Sequence, residues 1–182
     1  MQVLTISGAR NPAGQTSQAV NAVAQGIIAA GGVVETVLLP EMHIERCRQC
    51  DDNGWGICRT QGRCVIEDDL PAIKARIRQA DLVLFATPVY YADLAESLRA
   101  FLDRLRRTSA PEEFSAGIRG KRAIGICVAG GGGGGAPNCC VALERALAST
   151  GFDVYDLFPV RRQNLALKVE VLEAYGYLLA KA

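Results

Sequence analysis

Four cysteines lie close together, spaced Cys47-x2-Cys50-x7-Cys58-x5-Cys64, in a chain that holds seven cysteines in all. Four thiolates in one loop can enclose a 4Fe–4S cluster, or a single zinc ion in tetrahedral geometry. Free thiols that hold no metal are the third reading of the same pattern. An odd cysteine count, with no charged leader ahead of Met1-Gln2-Val3-Leu4, speaks against a disulfide framework and for a reducing, cytoplasmic setting. Cys139 and Cys140 are adjacent at the expected start of a helix, a position that activates thiols but also one where small buried residues pack. Cys127 falls inside an apolar run and reads as core. His43, the only histidine, stands beside the cysteine segment and reads as structural.

Three further segments have unusual chemistry. Ser7-Gly8-Ala9-Arg10-Asn11-Pro12-Ala13-Gly14-Gln15-Thr16-Ser17 is rich in hydroxyls and amides and leads into a helical pattern. It lacks both GxGxxG and GK[ST], so it fits one phosphate held on a helix N-terminus rather than a dinucleotide or a Walker loop. Thr87-Pro88-Val89-Tyr90-Tyr91-Ala92-Asp93 sets two flat aromatic faces beside exposed backbone amides, which suits a planar heterocycle. Ala129–Ala136 contains six consecutive glycines, Gly130 to Gly135, whose amides can form a nest for an anion or an oxygen.

The elements that must position these segments follow from hydrophobic periodicity. Val3–Ile6, Val33–Leu39, Leu82–Ala86, Ala123–Ala129 and Asp153–Phe158 are short apolar runs, as expected of parallel strands buried on both faces. Helical stripes separate them: Ala19 to Ile28, closed by Gly31-Gly32; Leu70, Ile73 and Ile77 after Asp68-Asp69; Leu94 to Leu105 with Asp93 as N-cap; Val141–Ala148; and Val169–Leu179. Strict alternation predicts an α/β fold, a doubly wound five-stranded parallel sheet with helices on both faces. All three unusual loops then sit at carboxyl ends of strands, where open α/β sheets bind ligands. The second and third connections exceed the roughly 30 residues of a bare βαβ unit, and the second excess is the cysteine segment itself. The chain, 182 residues long, therefore reads as a single domain over 1–182 with a cysteine-rich insertion at 43–67. With 20 Lys/Arg against 19 Asp/Glu, there is no electrostatic footprint for nucleic acid or a membrane surface, and no apolar stretch is long enough to span a bilayer.

Together the loops and the fold resemble the flavodoxin-like NADPH-dependent FMN reductase family, and within it the iron–sulfur flavoprotein branch. Thr87-Pro88-Val89-Tyr90-Tyr91 and Leu98-Arg99-Ala100-Phe101-Leu102-Asp103-Arg104 look like that family's SPVY loop and LKxFIDR helix. Gly62-Arg63-Cys64-Val65-Ile66-Glu67-Asp68-Asp69 is similar to GKCVIKDD. The first loop resembles GSPRxxGNTS, with Ala9 in place of the serine, the arginine shifted to Arg10, and Gln15 in place of the asparagine. The cysteine run departs from the branch's compact C-x2-C-x2-C pattern by five extra residues within Asp51–Ile57. These either bulge outward and leave four sulfurs able to meet, or mark a run that holds no metal.

The resemblance implies strand order 2-1-3-4-5 and noncovalent FMN. The phosphate would rest on Ser7, Arg10, Gly14, Gln15, Thr16 and Ser17. The ring would lie between Thr87, Pro88, Val89, Tyr90 and Tyr91 on one side and Ala129, Gly130, Gly131 and Gly132 on the other. It implies electron transfer from NAD(P)H through FMN to a flavin, quinone or similar acceptor, with no catalytic acid–base residue. The alternative it leaves is a ferredoxin-linked electron carrier without NAD(P)H turnover of its own. It leaves a 4Fe–4S cluster on Cys47, Cys50, Cys58 and Cys64 as one reading of the cysteine run, beside zinc or no metal, and implies a homodimer or homotetramer in which Tyr91 and Asp93 face the partner chain or the substrate. Arg161-Arg162 would lie in solvent, or steer the nicotinamide nucleotide.

Overall fold

The computed structural model describes residues 1–109 and 111–182. Five strands, β1 (Gln2–Ser7), β2 (Val33–Leu38), β3 (Leu82–Pro88), β4 (Arg122–Ala129) and β5 (Asp153–Arg161), form one sheet of order β2-β1-β3-β4-β5. Every pairing is parallel. The helices are α1 (Gln15–Ala29), α2 (Ile57–Gln61), α3 (Leu70–Gln79), α4 (Glu96–Ser109), α5 (Ala136–Thr150) and α6 (Leu165–Lys181). None among the described residues is long and apolar enough to cross a membrane.

Side chains alternate along the central strands and divide the core in two. Leu4, Ile6, Val83, Phe85 and Cys127 pack under α3, α4 and α5, while Val3, Leu82, Leu84, Ile124 and Ile126 pack under α1 and α6. The expectation of strands buried on both faces holds for β1, β3 and β4 but not for β2 and β5. These two are the outer strands and carry half-open faces, because the helices cover the middle of the sheet more fully than its edges. Asp93 is not the N-cap of α4. The helix begins three residues later, and Asp93 instead forms an ion pair with Arg99 across its first turn. The N–H of Ala95 goes to Thr87 Oγ1 at 2.9 Å, so the strand's last hydroxyl does the capping work expected of the aspartate. One element escaped the periodicity altogether: α2, a five-residue helix inside the cysteine segment.

On the second face, α1 and α6 cross with their backbones in contact. A Cβ on Gly26 would stand 2.0 Å from the Glu173 carbonyl oxygen, and one on Gly176 would stand 2.2 Å from that of Val23. Neither backbone can yield locally, so a single methyl must push the helices apart. Gly26→Ala and Gly176→Ala are each expected to lower the unfolding free energy by about 1–3 kcal/mol, although alanine is the better helix former, read as a lower denaturation midpoint.

Candidate functional site

Two sites emerge. The first is an open pocket of about 330 Å3 at the carboxyl edge of the sheet, lined by Ala9, Arg10, Asn11, Gly14, Gln15, Thr16, Pro88, Tyr90, Val128 and Gly130. The three loops singled out by their composition thus meet at one place. The first loop is shaped by Asn11: its Oδ1 accepts from the Ala13 N–H at 2.9 Å, and its carbonyl accepts from the Gly14 N–H at 3.0 Å and the Ser17 hydroxyl at 2.7 Å. Gly14 then starts α1 with no side-chain cap, and the N–H of Gln18 is the first to return, to the Gly14 carbonyl at 2.9 Å. The N–H groups of Gln15, Thr16 and Ser17 therefore have no helical partner, and the positive end of a 15-residue helix faces the pocket.

Ser7 and Ser17 stand behind this surface rather than on it. Ser7 Oγ accepts from the Ala9 N–H at 3.2 Å and Ser17 is committed to Asn11, both hydroxyls being buried and engaged within the turn. Thr87 is likewise buried, donating to the Pro88 carbonyl at 2.8 Å. The Val89 N–H donates to the Val128 carbonyl at 2.9 Å and carries the sheet ladder into the loop. Beyond it, Tyr90 and Asp93 close a tight turn in which Tyr91 and Ala92 have φ of 51° and 61°, and Tyr91 is fully exposed. This strained turn presents Tyr91 outward, away from the protein's own core.

The glycine loop is ordered by its neighbours. Gly133 N–H donates to the Gly130 carbonyl at 2.8 Å, and Gln163, from the turn after β5, donates to the Gly132 carbonyl at 3.0 Å. Gly135, at φ 82°, lies so close to Ala92 that a Cβ would approach its Cα to 2.9 Å. Gly131, Gly132 and Gly134 would each take a Cβ without meeting an atom within 4 Å, so nothing packs against those positions of the loop. Asn11 and Gln163 were not singled out from sequence; an amide at a loop bend gives no periodic signal.

The second site is a small, part-open cavity of about 20 Å3, and all four of Cys47, Cys50, Cys58 and Cys64 line it. The extra residues between Cys50 and Cys58 loop outward. Gly54 N–H closes a turn onto the Asp51 carbonyl at 3.2 Å, and Trp55 lies under the Arg107 guanidinium at 4.6 Å while Arg107 Nη1 donates to the Gly54 carbonyl at 2.7 Å. The chain returns at Gly56, where a Cβ would stand 2.9 Å from the Cβ of Cys50; only glycine leaves that cysteine its place. Among the described residues no three His, Cys, Asp or Glu side chains form a group that could hold a single metal ion. Tetrahedral zinc needs four sulfurs about 2.3 Å from one point, whereas a cluster of four irons keeps its ligating sulfurs around a larger body. The cavity wall carries four sulfur donors, the type that both groups take. His43 is not in this set; its backbone N–H donates to Asp69 at 2.7 Å.

The fastening of this segment was also not visible in sequence. Arg104 of α4 is buried and grips Asp68 through both Nη1 and Nη2, and its Nη1 also donates to the Glu45 carbonyl at 3.0 Å. Asp68 in turn accepts from the Glu45 N–H at 3.0 Å and the Leu70 N–H at 3.2 Å. Lys74, from α3, donates to the Thr108 carbonyl at 2.5 Å and the Gly62 carbonyl at 3.3 Å. Its burial, with Arg78 nearby, pulls the ammonium down to about 8. The available signal was a charged residue flanking the apolar stripe of α4, but sequence does not name its partner. The other three cysteines lie in the core, Cys127, Cys139 and Cys140 all being buried between β4 and α5.

A five-stranded parallel sheet of this order, with a ligand pocket built from the loops at its carboxyl edge, defines a flavodoxin-like protein. The fold likeness extends to an NAD(P)H:quinone oxidoreductase from Methanothermobacter marburgensis, at a TM-score of 0.73 and 19% identity over 98% of this chain and 96% of that one. It extends also to a flavodoxin from the domain Archaea, at a TM-score of 0.60 and 11% identity over the whole of both chains. The chain belongs to the NADPH-dependent FMN reductase family, whose profile matches residues 1–156. Among curated relatives it is similar to an iron–sulfur flavoprotein of Methanocaldococcus jannaschii, 28% identical over 72% of this chain and 65% of that protein. It is similar also to iron–sulfur flavoproteins of Archaeoglobus fulgidus, 30% identical over 58% of this chain and 46% of the relative, and of Methanosarcina thermophila, 30% identical over 57% and 52%. The chain thus spans between about half and two thirds of these relatives.

Burial acts to raise the Asp68 carboxyl, but the bonds from Arg104 and from the N–H groups of Glu45 and Leu70 outweigh it and hold the group below its ordinary 3.8. Between that lowered value and 3.8 the unfolded chain binds more protons than the folded one. Asp68 therefore contributes stability that is complete above about pH 4 and is lost as pH falls through the folded value. Asp68→Asn is expected to cost about 3–5 kcal/mol at neutral pH by leaving Arg104 an unpaired buried charge, and to flatten the acid limb of stability measured against pH.

Proposed function

We propose that this chain is a flavin-dependent oxidoreductase that binds FMN at the three-loop pocket, accepts electrons from NAD(P)H and passes them to a small acceptor such as a free flavin or a quinone. In this reading residues 1–182 act as a single FMN-binding domain carrying the cysteine-rich insertion at 43–67. The observation that carries it is the meeting of three loops around an uncapped helix start at the carboxyl edge of the sheet. The N–H groups of Gln15 and Thr16 would hold the phosphate, with Arg10 adding positive charge at the rim. Pro88, Tyr90 and the amides of Gly130–Gly132 would flank the ring. When bound, FMN supplies acceptance of a hydride from a nicotinamide and release of the electrons singly or in pairs. The pocket lining supplies Arg10, the Thr16 hydroxyl and backbone amides, groups suited to binding and orienting the cofactor. Tyr91, fully exposed on its strained turn, is the surface we assign to a second copy of the chain or to the acceptor.

A second reading is favoured by the cysteine cavity: a flavoprotein that relays electrons between FMN and a 4Fe–4S cluster held by Cys47, Cys50, Cys58 and Cys64, without NAD(P)H turnover of its own. Such a cluster supplies one-electron storage. Anaerobically purified protein given NADH or NADPH with a quinone or free flavin separates the two: turnover with either nucleotide supports the enzyme, and its absence in FMN-loaded protein leaves the carrier. The phosphate assignment has its own test. Thr16→Asp places a carboxylate at the helix start and is expected to weaken FMN binding about tenfold or more while leaving riboflavin, which lacks the phosphate, nearly unchanged. Equal losses for both ligands, read by fluorescence titration, would place the phosphate elsewhere.

A further inference from the structure

The cysteine cavity has a cation of its own that the ligand set does not account for. Arg104 lines the cavity together with the four cysteines and is 1% exposed. Its Nη1 and Nη2 are engaged by Asp68 and the Glu45 carbonyl, and Cys64 shares the same cavity wall. Its Nε is buried and has no hydrogen-bond partner. A buried charged N–H left without an acceptor is costly, and native proteins seldom leave one unless something else fills the place. The other two arginines on the cavity wall are turned to other work: Arg48 to Glu45, and Arg107 to the Gly54 carbonyl and Trp55. Asp68 neutralises Arg104 only once, whereas four thiolates closing on a cluster bring a net negative charge into the same low-dielectric space.

We infer that Arg104 is a positioning residue that sets the reduction potential of the group in the cysteine cavity, its Nε–H, the one donor left without an acceptor, serving a ligand sulfur on the cavity wall. This rests on the reading that the cavity holds an iron–sulfur cluster. Reduction adds one electron and one negative charge to that group; the guanidinium stays protonated, and no bond forms or breaks at Arg104. A fixed cation with an aimed N–H stabilises the more negative state and so raises the potential. The double hold of Asp68 is what makes the donor fixed, because it leaves the guanidinium plane no freedom to turn.

The test compares wild-type protein, Arg104→Lys, and the neutral pair Arg104→Gln with Asp68→Asn, which removes both buried charges together. Each is reconstituted without oxygen, assayed for iron and sulfide, checked for its melting temperature, and titrated with dithionite against redox dyes. Both variants are expected to carry about four irons per chain with the midpoint shifted negative, by 59 mV for each tenfold preference that Arg104 gives the reduced state. Loaded variants with the wild-type potential would overturn the inference and leave the cluster reading intact. Variants that melt normally but take up no cluster would make Arg104 an assembly residue and overturn it likewise. A wild-type chain that binds no iron or sulfide would sink both. One readout needs no variant: wild-type protein grown on 15N-arginine should show a nitrogen coupling to the reduced cluster by pulsed electron paramagnetic resonance, and its absence overturns the hydrogen bond.

Discussion

The structure depends on one buried ion pair. Arg104 and Asp68 come from α4 and from the segment before α3, and both side chains are almost wholly removed from water. Taking two charges out of water is expensive, and the pair repays this only through its geometry and its added bonds. Here the fork of the guanidinium meets both carboxylate oxygens, while the backbone of Glu45 donates to Asp68 and accepts from Arg104. The entry and the exit of the cysteine segment are thereby brought to one point against α4. Without that point, the cysteines would hang on a loop with little regular structure to fix them.

Because α4 also begins at the pocket on the carboxyl edge, it serves both sites. At its start, Thr87 accepts the Ala95 N–H, Ser97 donates to the Gly8 carbonyl at 3.4 Å, and Arg99 pairs with Asp93. Further along, Arg104, Arg107 and Thr108 face the sulfur cavity. From Ala95 to Arg104 the helix rises about 13 Å. The separation of the two sites along that axis is therefore set by a rigid element and not by the loops that furnish the ligands.

How much of this was legible in the sequence follows from what kind of signal each feature leaves. The sheet was legible because strand, helix and strand alternate in period, and the pocket because glycines, hydroxyls and a proline gather at strand ends. The outer strands were read as fully buried because an apolar run does not say whether it ends up in the middle of a sheet or at its edge. Asp93 has the composition of a cap, yet Thr87 took that role, accepting from an N–H eight residues further on at Ala95, because β3 ends beside the helix start. The bonds that place the cysteines are the least legible. Arg104 to Asp68, Lys74 to Thr108 and Arg107 to Gly54 join residues 34 to 53 positions apart, and pattern reading names residue types but not distant partners. The meeting of Gly26 with α6 is of the same kind.

The stretch from Met42 to Glu67 contains a single five-residue helix and is held by polar bonds at His43, Glu45, Gly54 and Gly62 and by Met42, Ile44, Cys64 and Ile66 packed against or into the core. Strands β1, β3 and β4, by contrast, are locked by full ladders and by core on both faces. Segments with little regular structure are, as a rule, the first to open locally, before a sheet with complete ladders. The sulfur cavity therefore has its wall in the least regularly built part of the chain, and it shares no lining residue with the pocket at the sheet's carboxyl edge.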